Sequence, residues 1–291
     1  MRNGNRHTAL RWAAFLRAAG DKVSVTVEWD GKPADAMLAL HARRSFLSIN
    51  SFPRELPLVV ALTGTDVYRD IGESAEARES LELADGLIVL QPKAAEELPA
   101  RLRKKVQVVV QSSSTRLRQA PVKGKFRVCV IGHLRGEKDP LRTLLALPFV
   151  SNERVEVIHL GALLDPKLEP KTTDPRYRWL GSVPHSRALK WLASSHAMVI
   201  SSRMEGGANV VCEALRIGVP VLASRISGNV GLLGSGYTGY FPLEDEKALG
   251  RLIERAATDA DFYRRMKQQV GRLRPMVDPR REAAALVAAL R

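Results

Sequence analysis

The stretch 201-SSRMEGGANVVCEALRIGVPVLAS-224 contains, in order, a strand end, a glycine pair, a helix and a second short apolar run. Preceded by the apolar run "AMVISS", it reads as strand, tight turn, helix and strand, the repeating unit of a doubly wound α/β sheet. Gly206 and Gly207 permit close backbone approach. The amides and positive dipole end of a helix beginning near Ala208, with Asn209 in its first turn, offer a place for phosphate oxygens. Glu213 lies five residues into that helix, about 7.5 Å along its axis. A diphosphate at the helix start would bring an attached ribose near this carboxylate, which can accept both sugar hydroxyls. Glu205 precedes the turn and would face the other side of the diphosphate, where a transferable sugar would sit. Two carboxylates flanking a phosphate site describe a nucleotide-sugar pocket.

The same alternation extends outward. "KFRVCVIGHL" reads as a strand, "DPLRTLLAL" as a helix capped by Asp139 with Pro140 in its first turn, and "RVEVIHLGA" as the next strand. Beyond "VPVLAS" the pattern predicts a glycine-rich loop over 227–239 and then three helices. Upstream, the polar and basic segment 112–125 reads as a linker. Before it, Ala9, Trp12, Ala13 and Leu16 recur at helical spacing up to Gly20, and "KVSVTVEW" alternates like a strand. Four further apolar runs, at 36–41, 56–64, 86–91 and 106–111, have the length and β-branching of buried parallel strands. The expected architecture is α/β: a Rossmann-like domain over 1–120, a second over 121–275, a ligand cleft between them, and a C-terminal helix over 276–291 crossing back to the first. The tryptophans Trp12, Trp179 and Trp191 fall at core spacing.

Composition narrows the partners. The 291 residues carry 45 Lys and Arg against 31 Asp and Glu, a formal charge of +14, which favours an anionic ligand. Cys129 and Cys212 have no metal-like or paired spacing and read as reduced core residues of a cytoplasmic protein. No apolar segment is long enough for a signal or a membrane span. The chain opens on a helix where an α/β domain usually opens on a strand, so a truncated or miscalled start is expected.

The spacing of Glu205 and Glu213, with Gly218, Pro220 and Val221, resembles the E-x7-E signature of retaining glycosyltransferases of the GT-B fold. "VIGHLRGEKDP" is similar to the glycine loop of that family, in which an Arg after the glycine and a Lys a few residues on hold the donor diphosphate. Gly132 and Lys138 match that loop, whereas His133 stands in the usual Arg place and leaves Arg135 as the second cation. A narrower likeness spans nearly the whole chain: "GNRHTALRWAAFLRAAG", "LALHARRS", "VALTGTDVYRDI", "VLQP" and "SRMEGGANVVCEAL" together look like the selenosugar synthase family of selenoneine biosynthesis, SenB. By comparison with that family the first strand of the N-terminal sheet is missing. The resemblance implies transfer of a sugar from a UDP-sugar, such as UDP-N-acetylglucosamine or UDP-glucose, to selenophosphate, with a carbon–selenium bond formed. It also implies retention by front-face attack.

In this reading Lys138 and Arg135 stabilise charge on the departing diphosphate. Acceptor candidates lie where predicted strands of the first unit end: His41, Arg43 and Arg44 in "HARRS", and Thr63, Gly64 and Asp66 in "TGTD". Asn5 and Arg6, in a glycine turn before the first helix, would reach the cleft. No cofactor is expected, and a divalent metal is not predicted because no Asp-x-Asp pair occurs. One alternative keeps the donor and changes the acceptor to a lipid or small metabolite, a membrane version requiring exposed apolar residues on the first helix; peripheral membrane contact is not expected. A nucleic-acid-binding role is the remote alternative, since the basic residues are dispersed and lack interleaved aromatics.

Overall fold

The structure, a computed structural model, describes residues 4–291. The chain divides into two compact units, one of residues 1–111, 205–207 and 279–291 and the other of residues 112–204 and 208–278.

In the first unit, α1 (Gly4–Ala18) is followed by β1 (Met37–Leu40), α2 (Phe46–Ser51), β2 (Leu58–Leu62), α3 (Ile71–Glu73), α4 (Ala75–Leu83), β3 (Gly86–Val89), α5 (Ala100–Arg103) and β4 (Val106–Val108). The four strands pair in parallel in the order β1-β2-β3-β4. Every residue of β2 is buried, as its unbroken apolar run requires with side chains packed on both faces. On one face Val60, Leu62 and Leu87 pack with Ile49, Leu81 and Leu98. On the other, Val59, Ala61 and Ile88 meet Trp12 and Leu16 of α1 and Leu286 of α12 (Pro279–Ala289). The two helices are tied by Glu282, whose buried carboxylate accepts from Trp12 Nε1 at 2.7 Å and Arg11 Nε at 3.1 Å.

The expected strand "KVSVTVEW" does not form. Residues 21–36 belong to no helix or strand, and Val27 is 98% exposed. A strand needs a neighbour for its amides and carbonyls. Among the described residues β1 is the edge of its sheet and pairs with β2 alone, so its outer edge stays open and this segment does not add to it.

The second unit contains β5 (Phe126–Ile131), α6 (Arg142–Ala146), β6 (Val155–Leu160), β7 (Tyr177–Trp179), α7 (His185–Ala193), β8 (Ala197–Ile200), α8 (Asn209–Ile217), β9 (Val221–Ser224), α9 (Ser227–Leu233), β10 (Tyr240–Phe241), α10 (Glu246–Thr258) and α11 (Ala260–Leu273). Its six strands are parallel in the order β10-β9-β8-β5-β6-β7. The chain therefore starts in the middle at β5, runs outward to β7, and returns to β8 on the other side of β5. Val128, Val157, Val199 and Leu222 form a core with Leu249, Ile253, Phe262 and Met266 of α10 and α11.

Three local expectations change. The glycine-rich segment after β9 holds the helix α9 rather than a loop throughout. Segment 112–125 is irregular but anchored, with the amides of Gln119, Ala120 and Val122 donating to the carbonyls of Ile217, Ala193 and Ser194. Asn5 and Arg6 lie inside α1, which begins at Gly4. Gly4 is already part of the helix, and its carbonyl accepts from the Thr8 hydroxyl one turn on, at 3.1 Å.

Candidate active site

The order of the second sheet reverses between β5 and β8. In open parallel sheets, ligands bind beyond the carboxyl ends of the strands at such a point. The chain leaving β5 supplies Gly132–Asp139, and the chain leaving β8 supplies Ser201–Met204. The two loops are bonded together. Ser201 Oγ donates to the carbonyl of Asp139 at 2.8 Å and lies 3.2 Å from that of Lys138, and the Arg203 amide donates to the Glu137 carbonyl at 2.9 Å. The backbone carrying Lys138 is thus held by the strand that leads into the glutamate motif.

Asp139 does not cap a helix. It turns the chain with φ of 43°, and its carboxylate accepts from Arg142 Nε at 2.8 Å, while α6 starts only at Arg142. A guanidinium three residues on is the stronger partner for a carboxylate than a neutral amide.

His133 braces the β5 loop. Its Nδ1 accepts from the Ala162 amide at 3.0 Å. Burial, with Arg135 and Lys138 adding to it, holds its pKa below the ordinary imidazole value, so the ring is neutral at pH 7. Arg135 is exposed and Lys138 half-buried. Gly132 is closed over by the next loop: a Cβ on Gly161 would lie 1.8 Å from the Gly132 carbonyl oxygen. Gly161 is not among the expected site residues, although a glycine directly after an apolar strand signals such close approach.

Ala208 occupies the N-cap position of α8 without a side-chain cap bond, and its carbonyl accepts from the Val211 amide at 2.9 Å. Glu213, in the middle of α8, has a side chain 13% exposed and accepts from His185 Nε2 at 2.7 Å. His185 opens α7 directly after Pro184, and nothing in the sequence pattern distinguished it.

The sequence signature described as "Glycosyl transferases group 1" matches residues 114–272, more than half of the chain. The chain belongs to this family. No curated protein matches it by sequence. Among solved structures, sucrose-phosphate synthase from Thermosynechococcus elongatus is similar at 18% identity and a TM-score of 0.68, over 87% of this chain and 72% of that one. HepE from Anabaena, in complex with UDP-glucose, is similar at 17% identity and a TM-score of 0.70, over 88% and 78%. A glycosyltransferase from Rickettsia africae is similar at 11% identity and a TM-score of 0.64, over 99% and 82%. With two parallel sheets and these likenesses, the group 1 glycosyl transferase has the expected GT-B fold.

In the first unit of this glycosyl transferase, the residues 205–207 pack against the loop that follows β2. A Cβ on Gly206 would sit 2.3 Å from the Thr63 carbonyl oxygen and 2.7 Å from the Gly64 nitrogen, and one on Gly207 would sit 2.5 Å from Leu90 Cβ. Packing alone therefore demands the glycine pair. Glu205 beside it is 8% exposed.

Asp66 holds the same loop. Fully buried, its carboxylate accepts from the amides of Gly64 at 2.7 Å, Thr63 at 2.9 Å, Val67 at 3.2 Å and Ala42 at 3.2 Å. Those bonds occupy the group expected at an acceptor and make it a support for Thr63 and Gly64. His41 is buried with a left-handed φ of 84°, and its Nε2 lies 3.0 Å from Thr65 Oγ1 and 3.7 Å from Asp70 Oδ2. Burial lowers its pKa against the pull of Asp66, so this ring is also neutral at pH 7. Arg43 donates through Nε to Asp70 at 3.0 Å with its guanidinium half exposed, and Arg44 is exposed beside it.

No helix among the described residues is long and apolar enough to cross a membrane, and no group of three or more His, Cys, Asp or Glu is placed to hold a metal. The apolar stripe of α1, which a membrane-bound version would expose, is spent on packing: Trp12, Ala13 and Leu16 are buried. Both cysteines are buried thiols, and burial pushes that of Cys129 up to about 12.

Proposed function

We propose that this group 1 glycosyltransferase moves a sugar from a UDP-sugar to selenophosphate. The observation that carries the donor half is the bonded pair of loops at the sheet reversal, which joins Lys138 to the chain entering the two-glutamate motif. The UDP-glucose complex of the similar HepE supports the same choice of donor.

Lys138 and Arg135 take the diphosphate as point charge and planar fork respectively, with the leading amides of α8 completing the set. Glu213 accepts the ribose hydroxyls, and Glu205 the hydroxyls of the sugar. In the transfer, selenium supplies the electron pair for the new bond to the anomeric carbon. The bond from that carbon to the β-phosphate oxygen breaks, and UDP leaves with its electrons. Cations and amides placed where that charge develops lower the barrier.

On the acceptor side, Arg43 and Arg44 suit a selenophosphate oxyanion, and Thr63, which takes up no proton near pH 7, fits a nucleophile that arrives deprotonated and needs no general base. Neutral His41 and buried Asp66 shape this loop. The test is incubation with several UDP-sugars and selenophosphate, followed by mass spectrometry for UDP and a sugar with selenium on carbon. UDP release with other acceptors but none with selenophosphate would leave the donor half standing and remove the acceptor half.

A further inference from the structure

The partner of Glu213 is a residue to which the transfer chemistry assigns nothing. His185 is the first residue of α7, its ring 66% exposed, and its Nε2 stands 2.7 Å from Glu213 Oε1 on the neighbouring α8. A carboxylate has about four lone-pair directions. One bond to His185 leaves capacity for two sugar hydroxyls while removing the rotation a half-buried glutamate would otherwise lose on binding.

We propose that His185 is a positioning residue for the nucleotide, locking the Glu213 carboxylate in the orientation that receives the ribose. The inference rests on the reading of Glu213 as the ribose-binding group. Prepaid ordering of one long side chain corresponds to about three- to tenfold in affinity. The same contact makes donor binding depend on pH. The hydrogen bond to Glu213 raises the His185 pKa above the ordinary imidazole value against the effect of burial. Glu213 is the charged group on α8 that acts on it, while Arg187 and Lys190 lie further along its own helix, beside Trp191 and Ser194. Below the raised pKa the imidazolium makes a charge-assisted bond; above it the neutral ring holds the carboxylate less firmly. Donor affinity therefore falls as pH rises through that value.

The experiment is calorimetric titration with UDP-glucose, whose diphosphate does not change charge in this range, at pH 5.5 and pH 8, for the wild type, His185→Gln and Glu213→Gln. The wild type is expected to bind about three- to tenfold more weakly at pH 8. His185→Gln should show the weaker affinity at both pH values, with kcat at saturating donor unchanged. An H185Q protein with wild-type affinity and the wild-type pH dependence would overturn the positioning role, provided E213Q binds more than about tenfold more weakly. If E213Q binds as the wild type does, the ribose assignment itself fails. His185 is a surface residue, so thermal melts should match the wild type and keep the comparison clean.

Discussion

Gly206 stands so close to Thr63 that a side chain on it would begin 2.3 Å from the Thr63 carbonyl oxygen. The obstacle is backbone rather than the tip of a flexible chain, so the Thr63–Gly64 peptide must move to admit even a methyl group. Overpacking of this kind typically costs about 1–3 kcal/mol. Gly206→Ala is expected to lower thermal stability by that amount and transferase activity by more than about tenfold. A G206A protein with unchanged melting and turnover would show that the loop yields freely.

Asp66 secures the other side of the same peptide. Asp66→Ala removes an acceptor from four amides at once, and buried donors left without a partner cost about 1–3 kcal/mol each where water cannot reach them. The Val67 amide keeps the Gly64 carbonyl, so three donors lose their partner, and the expected loss is about 3 kcal/mol or more in urea unfolding, with Asp66→Asn recovering part of it. Equal stability of all three proteins would contradict the support role.

His159 makes stability depend on acid. Its ring lies between Tyr177 Oη at 2.6 Å and the Gly132 carbonyl at 3.2 Å, and burial lowers its pKa to about 4. The unfolded chain takes up a proton near pH 6.5 while the folded chain remains neutral down to about 4. Stability is therefore full above pH 6.5 and lost progressively on descent to pH 4, by about 3 kcal/mol. Chemical denaturation across that window should show a steeper loss for the wild type than for His159→Gln. Parallel curves would place the acid sensitivity elsewhere.

Legibility in the sequence followed the range of the forces involved. The apolar runs of β2, β5, β6 and β8 could be read because strands buried on both faces have no other composition to choose. Glu205 and Glu213 are candidates by their spacing within one short local unit, and Lys138 by the resemblance of its loop to that of a known family. What escaped depended on neighbours far along the chain. The valines of "KVSVTVEW" alternate correctly, yet a strand forms only by pairing with a neighbour, and its own sequence does not state whether it will. Asp139 stands where a cap is expected, yet Arg142 offers its carboxylate a better bond. His185 is 28 residues from Glu213, and no period of helix or strand links them.

The two cations proposed for the diphosphate, Lys138 and Arg135, are expected to divide the binding energy unequally. Lys138 is half-buried on a loop fixed by Ser201, whereas Arg135 is exposed. Charge-assisted contacts to phosphate are worth about 1.5–3 kcal/mol. Lys138→Ala should weaken UDP binding by about ten- to a hundredfold, and Arg135→Ala by less, with a smaller loss at high salt. A larger effect at Arg135 would reverse the assignment.

A crystal structure with UDP bound addresses the central proposal most directly. The diphosphate is expected between Lys138 and the first amides of α8, with the ribose hydroxyls on Glu213. Nucleotide density away from the carboxyl ends of β5 and β8, or a ribose with no contact to Glu213, would contradict it.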